Sequence, residues 1–316
     1  MAFSDGLGGV KIKPFGKDKT NLLKIVLPFL VIIQHCHVYD DFELAGTMAV
    51  TVYFFISGYG MENKREQGGL NMNMLGSSLL KLLLPILFPA LTYVLIKYFY
   101  LKQDWSYIYS EFFIKSQIIL PFTWFVRTLL VLYVLFTILS IYIKERWTLF
   151  CFVIVFSMFA GPIGLIPTYT SPIGFVIGIL FKYYERNVIN ALNKHHNILV
   201  IILITFIIVT FTTLWLHETR SQYYIIRALS RLIPSAIYPL CVILLISYLP
   251  KFSDKLNMSR FSYDFYLCQG IAFLLITKDN FYMDVFYVLA SILTTTWIAI
   301  ICHKFTNNLK KLITHS

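Results

Sequence analysis

Long apolar runs alternate with short polar connections along this chain, and the runs set its architecture. A helix that crosses a membrane needs roughly 20 mostly apolar residues. On that ruler ten runs qualify, centred near residues 30, 53, 90, 132, 154, 175, 206, 241, 270 and 294. The clearest are 198–215 and 285–302, whereas 148–160 and 171–183 are short and separated by "GPIGLIPTYTSP". Prolines inside the runs (Pro28, Pro85, Pro89, Pro234 and Pro239) are tolerable where neighbouring helices satisfy the freed carbonyls. No connection is long enough for a separate domain. The pattern predicts an all-α, polytopic membrane helix bundle of about ten transmembrane helices, forming one domain over 1–316 with tails at 1–20 and 303–316.

The connections orient the stack. Of the 27 lysines and arginines, nineteen fall in connections on the N-terminal side and seven on the opposite side, with Arg127 inside the fourth run. Positive charge is retained on the cytoplasmic face, so both termini are expected in the cytoplasm. Residues 1–20 hold Lys11, Lys13, Lys17 and Lys19 without the apolar core of a signal peptide, which leaves the first crossing as its own targeting signal.

Composition agrees. The 316 residues are 58% apolar and 14% charged, with a mean hydropathy of +0.70; a soluble domain is about 45–50% apolar and about 25% charged. The net charge of +11 does not argue for nucleic acid, which needs a clustered basic face. Here the cations are spread among connections, where they set topology and meet anionic lipid. The expected location is the cell membrane. Five cysteines, an odd number without a CxxC spacing, suggest neither a disulfide framework nor a zinc site.

Candidate chemistry gathers in the first run, "NLLKIVLPFLVIIQHCHVYDDFE", residues 21–43. Lys24 and His35 are eleven residues apart, about three helical turns, so they fall on nearly one face about 16 Å apart along the axis. Lys24 as a lysine snorkelling to the interface is the plain alternative, as is His35 bonded to a carbonyl of a neighbouring helix. Polar groups inside a span are nevertheless functional-site candidates by default, and imidazole has the pKa suited to taking a proton near neutrality. His35 and His37 point about 200° apart on a helix, and no further ligand set supports them, so no metal is expected. Asp40, Asp41 and Glu43 read as a solvated turn.

"Cation, ten residues, histidine" in the first run, followed by "FFISGYG" at the end of the second, resembles the integral-membrane acyltransferase family 3. Other pieces occur in the same order. "SSLLKLLLPILFPALTY" carries Lys81 and Pro85, "LPFTWFVRTLLVLYVLF" carries Trp124 and Phe125, and "MSRFSYDFYLCQG" carries Ser262, Tyr263, Tyr266 and Leu267. The resemblance covers most of the chain and rests on motif order. Two positions depart from the pattern. Lys24 stands for the usual arginine, keeping the charge without the bidentate fork. Gln269 stands for the usual late histidine and cannot carry a proton.

The resemblance implies an acyl-CoA-dependent O-acyltransferase that moves an acyl group, acetyl by family frequency, from cytoplasmic acyl-CoA to a hydroxyl of an extracytoplasmic carbohydrate. No permanently bound cofactor is implied; acyl-CoA is a substrate, and the acceptor is a cell-surface polysaccharide or a lipid-linked sugar. It makes His35 the general base and Lys24, Lys81 and Ser57 the donor-binding set; Arg127 is a candidate donor to the developing oxyanion, with pairing to an acid of a neighbouring helix as the equal alternative. Trp124, Tyr53 and Tyr263 are its substrate-binding candidates, beside their plainer reading as packing and interfacial aromatics. Three other functions stay open from the residues: a glycan flippase or transporter, a glycan polymerase, and an inactive family member. A transporter would show two related halves with broken helices, and no internal repeat is visible.

Overall fold

The computed structural model describes residues 15–36, 43–113, 120–121, 123–142, 171–194, 197–218, 224–250, 253 and 258–315. The described residues form ten helices and no strand: α1 (Lys17–His35), α2 (Glu43–Glu66), α3 (Met72–Tyr100), α4 (Trp105–Phe113), α5 (Trp124–Tyr142), α6 (Ile173–Lys194), α7 (Asn197–Glu218), α8 (Tyr224–Ser247), α9 (Met258–Leu275) and α10 (Asp284–His315). Nine of the ten apolar runs lie on a helix of this set, and the run centred near 154 falls outside the described residues. The short α4 occupies a connection in which no helix is expected. The stretch expected as a tail from 303 onward continues α10 as helix to His315.

Among the described residues, three helices are long and apolar enough to cross a membrane, Met72–Tyr100, Trp124–Tyr142 and Asp284–Leu312, and Val200–Thr212 and Leu232–Ser247 are shorter apolar helices. Their outer faces are apolar. Leu80, Leu83, Leu87, Leu91 and Leu95 are all exposed on α3, and Leu289, Leu293, Trp297 and Ile300 on α10. Steps of three and four residues place each set on one helical face. Such stripes would be unfavourable against water and are at home against lipid. The interior accepts small polar groups instead, with Thr51, Thr128, Ser235, Ser291 and Thr295 buried.

Glycine decides how closely α2 and α6 approach. A Cβ on Gly58 would land on the carbonyl oxygen of Phe175, one on Gly174 on that of Thr51, and one on Gly178 on that of Phe55. Backbones meet there without intervening side chains, as small residues allow between membrane helices. Gly46 makes room in the same way for the side chain of Gln34, whose Oε1 accepts the Thr47 N–H at 2.8 Å. The glutamine of the opening stretch thus ties α1 to α2.

The start of α1 is held from two sides. The Phe15 N–H donates to Glu185 Oε1 at 2.8 Å, and the Tyr59 hydroxyl lies 2.9 Å from that oxygen and 3.0 Å from the Phe15 carbonyl. Lys182 closes the group from Oε2 at 2.9 Å. On the other side the Lys19 ammonium donates to the carbonyls of Leu249 and Pro250. In α3, Pro85 sits in a 3-10 turn, Leu84–Ile86, where its missing N–H breaks the α ladder. Near the end of α3 the buried Lys97 lies 4.9 Å from the Tyr93 ring centroid and 5.9 Å from that of Tyr107, within cation–π range.

Replacing Gly178 by leucine is expected to cost about 1–3 kcal/mol or more, because backbone rather than a movable side chain opposes it. Gly76, whose added Cβ would meet nothing within 4 Å, supplies the control in Gly76→Ala. Thermal unfolding in detergent checks the pair: Gly178→Leu lowers the midpoint while Gly76→Ala does not, and equal midpoints would refute the close α2–α6 contact.

Candidate active site

A cavity of about 940 Å³ opens at the end of the bundle where α1, α3 and α9 begin and α2 and α10 finish. Its lining contains five lysines: Lys17 and Lys24 from α1, Lys64 from α2, Lys81 from α3 and Lys310 from α10. Against them stands one carboxylate, Asp264 of α9. Lys64 lies past the apolar stretch of α2, and burial together with the charge of Lys81 lowers its pKa. Phe15, Gly16, Lys17 and Thr20 bring the start of α1 into the wall. Gly16 precedes that helix without a side-chain cap, so the first-turn N–H groups add the partial positive charge of a helix N-terminus.

Uncharged groups complete the lining. The Tyr53 hydroxyl lies 3.0 Å from Ser262 Oγ and 3.5 Å from the Lys24 carbonyl oxygen, a link joining α2, α9 and α1. Tyr133 of α5 and Ser57 of α2 both line it. The Tyr263 hydroxyl donates to the Leu82 carbonyl at 2.9 Å, which fixes α9 against α3 beside Lys81. Aromatic rings meet around Phe125: its centroid is 5.9 Å from Tyr53, 5.7 Å from Tyr266 and 4.8 Å from the fully buried Phe54. The cavity therefore combines a cationic end with an aromatic wall, a shape suited to an anionic ligand bearing a long, less polar arm.

The structure brings five of the expected site residues together in this one lining: Lys24, Lys81, Ser57, Tyr53 and Tyr263. Three stand apart from it. His35 is half-buried at the last turn of α1 and is not among the lining residues; helical rise sets it about 16 Å beyond Lys24. Trp124 packs its ring 6.4 Å from that of Phe54. Arg127 follows Phe125 by two positions, and residues two apart on a helix point about 200° away from each other. Since Phe125, Leu129 and Tyr133 form the cavity-facing stripe of α5, Arg127 projects from another side of that helix.

Several lining residues escape a reading of the sequence alone. His303 Nδ1 lies 2.6 Å from Asp264 Oδ2, and Asn307 and Lys310 follow His303 on α10. A polar i, i+4, i+7 stripe after a long apolar run is visible in hindsight; its partner on α9 is not. Gln269 also gains a setting. It is buried, stands on the same α9 face as Ser262 and Tyr266 by i, i+4, i+7 spacing, and its amide atoms have no hydrogen-bond partner among the described residues. Among the described residues no group of three or more histidines, cysteines or carboxylates is arranged to hold a metal.

Comparison with curated proteins and with solved structures gave no match. Comparison with protein families matches an acyltransferase domain to residues 18–304, from the first turn of α1 to the residue after His303. The match takes in Lys24, His35, Lys81 and the Asp264–His303 pair. The chain belongs to the acyltransferase 3 family and is a multi-pass membrane acyltransferase.

Proposed function

We propose that the protein transfers an acyl group, acetyl in the simplest case, from cytoplasmic acyl-CoA to a hydroxyl of an extracytoplasmic carbohydrate such as a capsular or exopolysaccharide. The observation that carries this reading is the lysine-lined cavity holding Lys24 on the same helix as His35. A nucleotide-bearing thioester supplies the negative charge that five lysines facing one carboxylate require. Lys24 and Lys81 bind its phosphates, and the uncapped first turn of α1 contributes N–H donors, as helix N-termini do for phosphate. Ser57, Tyr53 and Tyr263 flank the arm.

The pantetheine arm spans the remaining distance toward His35. The rings of Tyr53, Phe125 and Tyr266 line the cavity wall, and the arm runs along them. The acceptor arrives from the opposite face. His35 takes the hydroxyl proton as the oxygen attacks the thioester carbonyl carbon; the C–S bond then breaks and the proton leaves with the thiol. Arg127 offers charge to the oxyanion from the side of α5 turned away from the cavity, and Trp124 provides a flat apolar face for a sugar ring. Extracytoplasmic glycan and membrane lipid are the partners on this account.

Two outcomes follow. His35→Ala, present at normal level, is expected to lower O-acyl transfer to cell-surface glycan by about 10²–10⁴-fold, the range of a general base; undiminished O-acyl content would remove His35 from the mechanism. Lys24→Arg keeps the charge and is expected to keep the acyl-CoA KM, while Lys24→Ala raises it about tenfold or more, as loss of a charged hydrogen bond does. Equal KM values across all three proteins would defeat the donor-binding role of Lys24.

A further inference from the structure

The last helix brings to the cavity a set of groups that the donor-binding lysines of α1 and α3 do not explain. His303, Asn307 and Lys310 all line it, and their spacing places them on one face across two turns. His303 is bound through Nδ1 to Asp264 of α9 at 2.6 Å. Its side chain is 29% exposed, whereas that of Asp264 is 6% exposed. Both line the cavity, the imidazole as the more exposed of the two, and with Nδ1 held by Asp264 the other ring nitrogen, Nε2, is the one for a ligand. Phe261 packs edge-on against the imidazole with centroids 5.8 Å apart, and this second contact fixes the orientation of the plane.

Asp264 needs an explanation of its own. It is the carboxylate of a cavity otherwise lined by lysines, where a bare carboxylate would repel an anionic ligand. Paired with His303 Nδ1 at 2.6 Å it instead holds the imidazole plane in place, with the Asn307 amide and Lys310 ammonium on the same face of α10.

We propose that His303, Asn307 and Lys310, with Asp264 as the positioning residue bonded to the imidazole, form an anion subsite that grips the phosphate-bearing end of the donor from the α10 wall. The inference rests on the acyl-CoA reading above and deepens it. A donor with phosphates at separated positions requires positive charge on more than one wall, and α10 supplies it from the far end of the sequence. Asn307 and Lys310 lie just beyond residues 18–304, the stretch matched to the family, on the same helix as His303.

The test compares two donors on the purified full-length protein in lipid nanodiscs: acyl-CoA, and the phosphate-free acyl-pantetheine carrying the same acyl group. His303→Gln is expected to weaken acyl-CoA affinity about tenfold or more, as loss of a charged hydrogen bond does. Lys310→Gln weakens it about two- to fivefold, the scale of an exposed ion pair. Asp264→Asn follows His303→Gln in direction. None of the three variants changes the affinity for acyl-pantetheine. If the wild type binds both donors equally, the acyl-CoA assignment of the cavity fails. If the wild type prefers acyl-CoA and the variants retain that preference in full, the subsite alone fails. A parallel loss for both donors also overturns it, since a purely structural link between α9 and α10 would act in that way. Lys310 is exposed, so Lys310→Gln keeps the test decisive if the buried pair does not tolerate substitution.

Discussion

A positive charge inside an apolar bundle has to keep contact with water or with an anion, because stripping an ammonium of its solvent costs several kcal/mol even after relaxation. Lys24 sits seven residues into α1, and the fold meets this constraint with a cavity open at one end of the helices. The other features of that end follow from the same requirement. Lys17, Lys64, Lys81 and Lys310 come to the cavity from four helices. Their mutual repulsion is tolerable only where solvent or a bound anion reaches them. The site is in this sense poised for a ligand of opposite sign, and its field would also raise the local concentration of such a ligand.

Holding that arrangement demands a rigid frame, and the frame is built from backbone contacts more than from large side chains. The glycines of α2 and α6 let the two helices touch main chain to main chain. Glu185 reaches from α6 to the Phe15 N–H, and Lys19 reaches to the end of α8. Together these fix where α1 begins, and hence where its free N–H groups and Lys24 stand. The Tyr53–Ser262 and Tyr263–Leu82 bonds join α2, α3 and α9 around the same space. Each is a polar link in an apolar interior, where an unmade hydrogen bond would be costly.

The two ends of α1 serve different chemistry. The cationic cavity, walled in part by Tyr53, Phe125 and Tyr266, lies at its first turns and His35 at its last. The buried amide of Gln269, without a hydrogen-bond partner among the described residues, lies on the α9 face that also carries Ser262 and Tyr266.

By itself the sequence determined the helical class and the position of most helices, because a membrane segment must be apolar over a fixed length whatever surrounds it. Local motifs also singled out Lys24, Lys81 and Ser57 as one candidate set and Tyr53 and Tyr263 as part of another, and the structure puts all five in one lining. What the sequence could not show is which residues meet across long separations. The Asp264–His303 bond joins residues 39 apart, and the Phe15–Glu185 bond joins residues 170 apart. His303 in isolation reads as one polar residue after an apolar run, and Asn307 and Lys310 read as an exposed tail. Only the packing of α10 on α9 turns that stretch into a cavity wall. Tertiary structure likewise separated His35 and Arg127 from the cavity that Lys24 lines, since helical phase places residues on a face while the neighbouring helices decide what that face meets.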